Sequence, residues 1–340
     1  MTTNPGSTNA GSTDTGAPRS GVSTGRAAAA ATASVAIGTA LAVQARINGT
    51  LGRELGDGTL AALISFGGSL VLLVVMAALL PTMRAGGARL VAALRRGRLR
   101  PWHFVGGLGG ASLILSQSLT VASIGVAVFT VAVVAGQAAS SLIVDRLGVG
   151  PGGPRSITIG RVGGAVLALG AVALALSDRL GVSGVVVLTV LPALAGAAIA
   201  WQQALNGRLG VTGGPLSAAL VNFVVGTAAL GAGALVDVAV RGLPDSLPAN
   251  PLLYLGGPLG VVFVSAAAVI VRVTGVLLFG LCTVAGQLVG SVLLDLFAPT
   301  AGQPLSVATI AGTALAFVAV AITALPGRRT PANQGRSTDR

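Results

Sequence analysis

Cysteine, histidine, aromatic residues and charge are all scarce in this sequence. Its 340 residues include one cysteine, one histidine, 3% aromatic residues and 9% charged residues, whereas a soluble globular domain carries about 25% charged residues. The single Cys282 excludes an intrachain disulfide framework. The single His103 excludes a multi-histidine metal site, and we interpret it as an interfacial residue. A chain with so little polar surface cannot be a soluble protein.

Lysine is absent, and all 21 basic residues are arginines, which give a net charge of +12. Such a charge raises nucleic-acid binding as a possibility. However, few aromatic side chains are present to stack on bases, and membrane topology accounts for the arginines better. We therefore expect a lipid bilayer around this chain and no nucleic-acid partner.

Most of the sequence consists of apolar runs. Each run is long enough to cross a bilayer as a helix. Spanning β-strands would need short alternating segments instead. The sequence therefore predicts an all-α, polytopic membrane protein. For the first run, a cleaved signal peptide is the alternative to a retained helix. The ten runs are 27–47, 59–80, 102–121, 124–145, 157–176, 183–204, 215–238, 252–271, 274–296 and 306–325.

Two polar tails flank these runs. Residues 1–26 are mainly Ser, Thr, Gly, Asn and Pro, a composition that has nothing to bury, so we expect a disordered tail. Residues 326–340 form the second tail. If the N-terminus is cytoplasmic, seventeen of the 21 arginines lie in cytoplasmic segments, as the positive-inside rule requires. Both termini are therefore expected in the cytoplasm.

The sequence repeats itself. Residues 101–145 align without a gap with residues 251–295, and 14 of the 45 positions are identical. The motif at Gln44–Gly52, Q-x-x-x-N-G-x-L-G, recurs at Gln202–Gly210. The chain thus divides into two five-helix repeats, 27–178 and 182–325. Because five is odd, the second repeat enters the membrane upside down, an arrangement that many secondary transporters use.

These motifs carry a family resemblance. Ten helices in two inverted units, with N-G-x-L-G after the first helix and G-Q-x-x-x-S-x-x-x-D in the fourth, resemble the drug/metabolite transporter (DMT) superfamily and, within it, the YdcZ-like branch. The resemblance covers residues 27–325. It implies a DMT/EamA-like fold and a secondary transporter of the cytoplasmic membrane, often an exporter, with a central cavity between the halves. It implies no particular substrate.

Two amides are expected near the bilayer midplane. Gln137 precedes Asp145 by eight residues, about 12 Å along a helix, and Gln287 repeats this from the opposite face. Ser141 and Ser291 follow the two glutamines at the i+4 position. We hypothesise that these four side chains bind a polar substrate. The alternative is that they hydrogen-bond to neighbouring helices as packing contacts.

A second pair of polar patches lies near the ends of two other spans. Gln44 and Asn48 share one helix face at one mouth, and Gln202 and Asn206 do so at the other. We interpret the glutamines as substrate-binding and the asparagines as gating residues. Asn-Gly as a simple helix stop is the alternative for the asparagines.

Two carboxylates occupy matched positions at the ends of spans. Asp145 and Asp295 are candidates for proton coupling. They are alternatively headgroup-region residues, with Asp145 paired to the adjacent Arg146.

The sequence offers no catalytic arrangement, metal site or cofactor motif. It lacks the phosphate-binding loop of an ATPase, and a lone histidine cannot form a triad. We therefore expect no enzyme, but a secondary transporter that exports a small metabolite or drug-like molecule by alternating access. The competing hypothesis is a non-transporting scaffold or partner subunit that retains the fold. Substrate identity and coupling ion stay open, as does a homodimer.

Overall fold

The computed structural model describes residues 24–154, 156–178, 184–244, 246–299 and 305–324. Every regular element in these ranges is helical, so the predicted all-α polytopic class is confirmed. The two predicted tails lie outside the described residues, apart from 24–26, which begin α1. The helices are α1 (Thr24–Leu55), α2 (Gly58–Leu79), α3 (Pro81–Arg95), α4 (Gly107–Ile124), α5 (Val126–Arg146), α6 (Ile159–Ala175), α7 (Val185–Gly213), α8 (Pro215–Arg241), α9 (Gly256–Phe297) and α10 (Val307–Ala324), with short 3₁₀ helices at Pro101–Gly106 and Pro251–Tyr254.

Seven helical segments in the described part of the chain are long and apolar enough to cross a membrane, and three shorter apolar segments accompany them. These segments overlap the ten predicted runs in order, but the count of ten membrane crossings stays a prediction. The shorter segments are Ile159–Ala175, Gly256–Ala267 and Val307–Ile322.

Helix α3 was not expected, because residues 81–100 read as an arginine-rich loop. Its buried residues, Met83, Gly86, Leu90 and Ala93, recur at the three- and four-residue spacing of one helix face. This face packs on α7 and α8. The amphipathic pattern was present in the sequence, but the charge of the segment obscured it.

Helix α9 joins the eighth and ninth predicted spans into 42 residues. One straight helix of this length would extend about 63 Å, twice the thickness of a bilayer core. The contacts of α9 with α1 show that it turns back on itself. Gly256 lies against Asn48, whereas Gly286 lies against Val35 and Gly290 against Thr39. The first part of α9 therefore runs antiparallel to α1 and the last part parallel to it.

A separate helix break marks the matching place in the first repeat. Gly125 adopts φ +83° and separates α4 from α5, a conformation that favours glycine. The amide groups of Val126 and Ala127 that this break exposes donate to the carboxylate of Asp295. The matching carboxylate of Asp145 binds Arg161 instead. Asp295 thus binds across the two repeats, whereas Asp145 binds within the first repeat.

The repeats pack through equivalent contacts. Helix α1 packs on α9 as α7 packs on α4 and α5, while α2 packs on α8 and α6 on α10. At the closest crossings, a Cβ on Gly136 would overlap the carbonyl of Ala193, and a Cβ on Gly286 would overlap the carbonyl of Val35. These two contacts occupy matching positions in the two repeats. The predicted repeat boundaries themselves stay a prediction.

Helix α4 contacts both α1 and α7, and these contacts show how the two helices are oriented relative to each other. Its N-cap residue, Gly106, lies beside Asn206, near the C-terminal end of α7, where a Cβ on Gly106 would lie 3.5 Å from the Asn206 Oδ1 atom. Its C-terminal part lies beside the C-terminal end of α1, where Gly52 contacts the carbonyl of Ser118. The C-terminal ends of α1 and α7 therefore contact opposite ends of α4.

Candidate functional site between the repeats

A first polar cluster, made of Gln44, Asn48 and Gln117, lies where α1 meets α4 and α9. The Nε2 atom of Gln44 donates to the carbonyl of Gly256 at 2.6 Å. The Nδ2 atom of Asn48 donates to Oε1 of Gln117 at 2.7 Å. All three side chains are buried. Because a membrane core offers no water to satisfy amides, these bonds tie α1 to both partner helices.

Gln117 was missed by the sequence reasoning. It lies in the middle of an apolar run, and its counterpart in the second repeat is Ala267, so the repeat did not draw attention to it. An amide inside a predicted span is itself a signal of a functional or packing role. That signal was available and would have identified Gln117.

A second polar cluster, made of Gln202, Asn206 and Asn222, occupies the matching place on α7 and α8. The Nδ2 atom of Asn222 donates to Oδ1 of Asn206 at 2.5 Å. The Oε1 atom of Gln202 is buried and accepts no hydrogen bond from the described residues. Gln202 and Asn206 are half-buried, so this cluster is less enclosed than the first.

An aromatic pair lies between the two clusters. The ring centroids of Phe66 and Phe223 are 4.5 Å apart, on α2 and α8 respectively. A Cβ on Gly110 would lie 3.1 Å from Phe66 and 3.2 Å from the Gln202 amide nitrogen. A Cβ on Gly260 would lie 3.0 Å from the Gln44 amide nitrogen. Each aromatic helix thus borders one cluster, and the ring pair joins the two halves.

Gln137 and Gln287 occupy matching positions on α5 and α9. Both are half-buried, and no described hydrogen bond joins either side chain to a neighbour or joins one to the other. The glycine before each of them packs directly on a neighbouring helix, as described above. The close contact between helices is therefore made by the glycines, and the glutamine side chains lie next to that contact.

The two serines of the same motif donate within their own helices. Ser141 donates to the carbonyl of Ala138, and Ser291 donates to the carbonyl of Leu288, each at 2.8 Å. Ser291 is completely buried. Their hydroxyl protons are therefore engaged, and only the oxygen lone pairs are left for another group.

Asp295 connects three helices. Its Oδ1 atom accepts from Nη2 of Arg46 on α1 at 2.5 Å, and its two oxygens accept from the amides of Val126 at 3.2 Å and Ala127 at 2.7 Å at the start of α5. A carboxylate at a helix N-terminus is stabilised by the helix dipole and the exposed amides. We name Arg46, Asp295 and these two amides the carboxylate latch.

Asp145 forms a different contact. It pairs with Arg161, at the start of α6, whereas the sequence suggested the adjacent Arg146, which is exposed. Arg146 is the last residue of α5. On α7, the residue that matches Arg46 is Ala204. The second repeat therefore has no counterpart of the carboxylate latch among its described residues.

Comparison with known proteins gives one family. Residues 29–174 and 181–322 each match the family described as "Putative inner membrane exporter, YdcZ". No curated protein matches the chain. One solved structure, described only as the crystal structure of a protein, is 22% identical over 89% of this chain and 99% of its own, with a TM-score of 0.46.

The family match covers both repeats and agrees with the resemblance read from the motifs. Together with the apolar helices, it indicates an inner-membrane protein with several spans. The family is one of transport proteins and is not an enzyme family. This chain belongs to the YdcZ family of the drug/metabolite transporter superfamily.

Proposed function

We propose that this protein is a secondary transporter that exports a small metabolite or drug-like molecule across the cytoplasmic membrane by alternating access. The observation that carries the proposal is the equivalent packing of the two repeats. Because the C-terminal ends of α1 and α7 contact opposite ends of α4, a head-to-toe arrangement of the repeats is favoured. Inverted repeats of this kind rock against each other around a site at the midplane.

The substrate site we propose centres on Gln137 and Gln287. Both amides are half-buried, and neither is engaged by a described hydrogen bond, so both can bind a polar group. Ser141 and Ser291 would contribute hydroxyl oxygens as acceptors, since their protons are engaged. Gln202 adds an unengaged carbonyl oxygen. Gln44 is already bonded to α9, and therefore contributes by holding that helix.

The two asparagines are proposed as gating residues. Asn48 is completely buried and binds Gln117, whereas Asn206 is half-buried and binds Asn222. The Asn48 end also carries the carboxylate latch, which the Asn206 end lacks. These differences favour a resting state that is closed at the Asn48 end and looser at the Asn206 end. With the N-terminus in the cytoplasm, the Asn48 end is the outer one.

Of the two carboxylates, Asp295 is the better candidate for coupling. Protonation of its side chain would remove the charge that holds Arg46 and the start of α5. The outer end of the bundle would then separate. Asp145 lies at the cytoplasmic end and pairs with Arg161, so the same chemistry there would affect the α5–α6 connection only.

Reconstitution into proteoliposomes tests the proposal. Uptake of amino acids, sugars, nucleosides and ethidium is measured with and without an imposed pH gradient, with empty liposomes as the control. We expect at least one compound to accumulate, and the Gln137→Ala and Gln287→Ala variants to reduce its flux at unchanged membrane content. No flux of any compound would favour the scaffold hypothesis. Normal flux in both variants would assign these glutamines to helix packing.

A further inference from the structure

Helix α3 crosses the turn between α7 and α8. Arg89 donates to the carbonyl groups of Thr212 and Gly213 at 3.1 and 3.3 Å, and Ser217 donates to the carbonyl of Met83 at 3.1 Å. The buried residues of α3 also pack on Leu209, Ala218 and Ala219, so its contacts with α7 and α8 fall on residues 209–219. A helix running alongside α7 and α8 would instead contact them over several turns. Since residues 209–219 surround the join between two spans at Gly214, α3 lies at the membrane surface.

The opposite side of α3 is a shallow, open surface. It is formed by Ala88, Val91, Ala92, Arg95 and Arg96, which we name the α3 groove. Val91 is 49% exposed. The groove therefore combines an apolar floor with two guanidinium groups at one end, and its residues share a helix face through their three- and four-residue spacing.

The charge around the α3 groove is unbalanced. No acidic residue occurs between Asp57 and Asp145, and the ion pairs among the described residues do not involve Arg95, Arg96, Arg98 or Arg100. Two other arginines of the helix are engaged with backbone carbonyls, Arg84 with Ala78 and Arg89 with α7. The remaining arginines of this segment are therefore accessible to a partner that carries negative charge.

We propose that the α3 groove binds an anionic phospholipid of the cytoplasmic leaflet. Its phosphate would accept hydrogen bonds from Arg95 and Arg96, whose planar guanidinium groups suit phosphate oxygens. Its glycerol and upper acyl chain would cover Ala88, Val91 and Ala92. A free phosphate would satisfy the arginines but leave this floor uncovered. The site rests on the membrane class of the protein and not on transport.

Of the two tryptophans, Trp102 lies nearer to this site along the chain. It is 42% exposed and follows Arg100 by two residues, and the sequence contains one other tryptophan, Trp201. In the full-length Trp201→Phe protein, fluorescence therefore comes from Trp102 alone. Bromine atoms on a lipid bound near α3 quench that fluorescence.

The experiment compares brominated phosphatidylglycerol with brominated phosphatidylcholine, added at rising mole fraction to detergent micelles that contain the Trp201→Phe protein. We expect phosphatidylglycerol to quench at the lower mole fraction. The Arg95→Gln/Arg96→Gln variant should weaken this preference about fivefold for each arginine removed. The Arg53→Gln/Arg241→Gln variant, which removes two exposed arginines from the other side, should retain it.

Two further measurements distinguish lipid binding from phosphate binding and from a loss of stability. Val91→Ser should weaken phosphatidylglycerol binding while leaving any effect of inorganic phosphate unchanged, because it alters the apolar floor alone. Thermal unfolding should give the same midpoint for the Arg95→Gln/Arg96→Gln variant without lipid, since both side chains are exposed. Equal quenching by the two lipids, or full competition by inorganic phosphate, would overturn the proposal.

Discussion

At the scale of single residues, the carboxylate latch concentrates charge in an otherwise apolar interface. Asp295 is 7% exposed and Arg46 is 19% exposed, so little water screens the pair. The carboxylate also accepts hydrogen bonds from two backbone amides of α5. A buried charge persists only when it is paired and hydrogen-bonded, and Asp295 meets both conditions through partners on two other helices, α1 and α5.

Asp295→Asn should destabilise the protein. The amide keeps the size of the carboxylate but loses its charge, and one of its two ends cannot accept from the α5 amides. We expect the free energy of unfolding to fall by about 2 to 3 kcal/mol, measured by SDS-induced unfolding. The control is Asp237→Asn, whose pair with Arg241 lies at the surface and should contribute less than 1 kcal/mol. Equal effects of the two changes would contradict a structural role for the latch.

The bond between Asn48 and Gln117 should appear as a coupling energy. Asn48→Ala and Gln117→Ala should each destabilise the protein, and the double variant should be less unstable than the sum of the two. A coupling of about 0.6 to 1.7 kcal/mol is expected for a hydrogen bond between membrane helices. Pairing Asn48→Ala with Ser112→Ala, which removes a hydroxyl bonded within α4, should give additive effects. Additivity in both pairs would disprove the contact.

At the scale of helices, glycine sets how closely the repeats pack. Glycines at helix crossings let backbones approach, and Gly136 and Gly286 do so at matching crossings of α5 on α7 and of α9 on α1. The sequence identified both positions through the repeat. It could not show that the opposing group is a backbone carbonyl, because this depends on the register between helices that are distant in the chain.

Gly136→Ala and Gly286→Ala should therefore be costly. A Cβ at either position overlaps a carbonyl, and overpacking of this kind costs about 1 to 3 kcal/mol. Gly170→Ala is the matched control, because no atom lies within 4 Å of a Cβ there, and it should be neutral or stabilising by about 0.5 to 1 kcal/mol. Thermal unfolding in detergent measures all three. A stable Gly136→Ala protein would show that α5 and α7 are further apart.

At the scale of the whole molecule, the relation between the repeats decides the function. The connections that follow α2 and α8 are equivalent in the two repeats. Ala85 in the first connection is exposed, and so is Leu243 in the second. If the repeats are inverted, these two residues lie on opposite sides of the membrane. If the repeats are parallel, both lie on the same side.

Cysteine labelling separates the two arrangements. In a Cys282→Ser background, Leu243→Cys should react with an impermeant maleimide in spheroplasts, whereas Ala85→Cys should react only after lysis. Because both sites are exposed, a difference between them reports the side of the membrane. Labelling of both before lysis would contradict the inverted topology and, with it, the proposed mechanism.

The sequence by itself determined the membrane class, the order of the spans, the internal repeat and the family, because these depend on composition, run length and short-range spacing. It also identified Asp295, Asn48 and the paired glutamines. Tertiary structure alone decided their partners: Arg46 and the α5 amides for Asp295, Gln117 for Asn48, and Arg161 in place of Arg146 for Asp145. Each of these contacts depends on how helices remote in the chain pack and in which register. A pattern along the sequence contains no information on the distances between such helices.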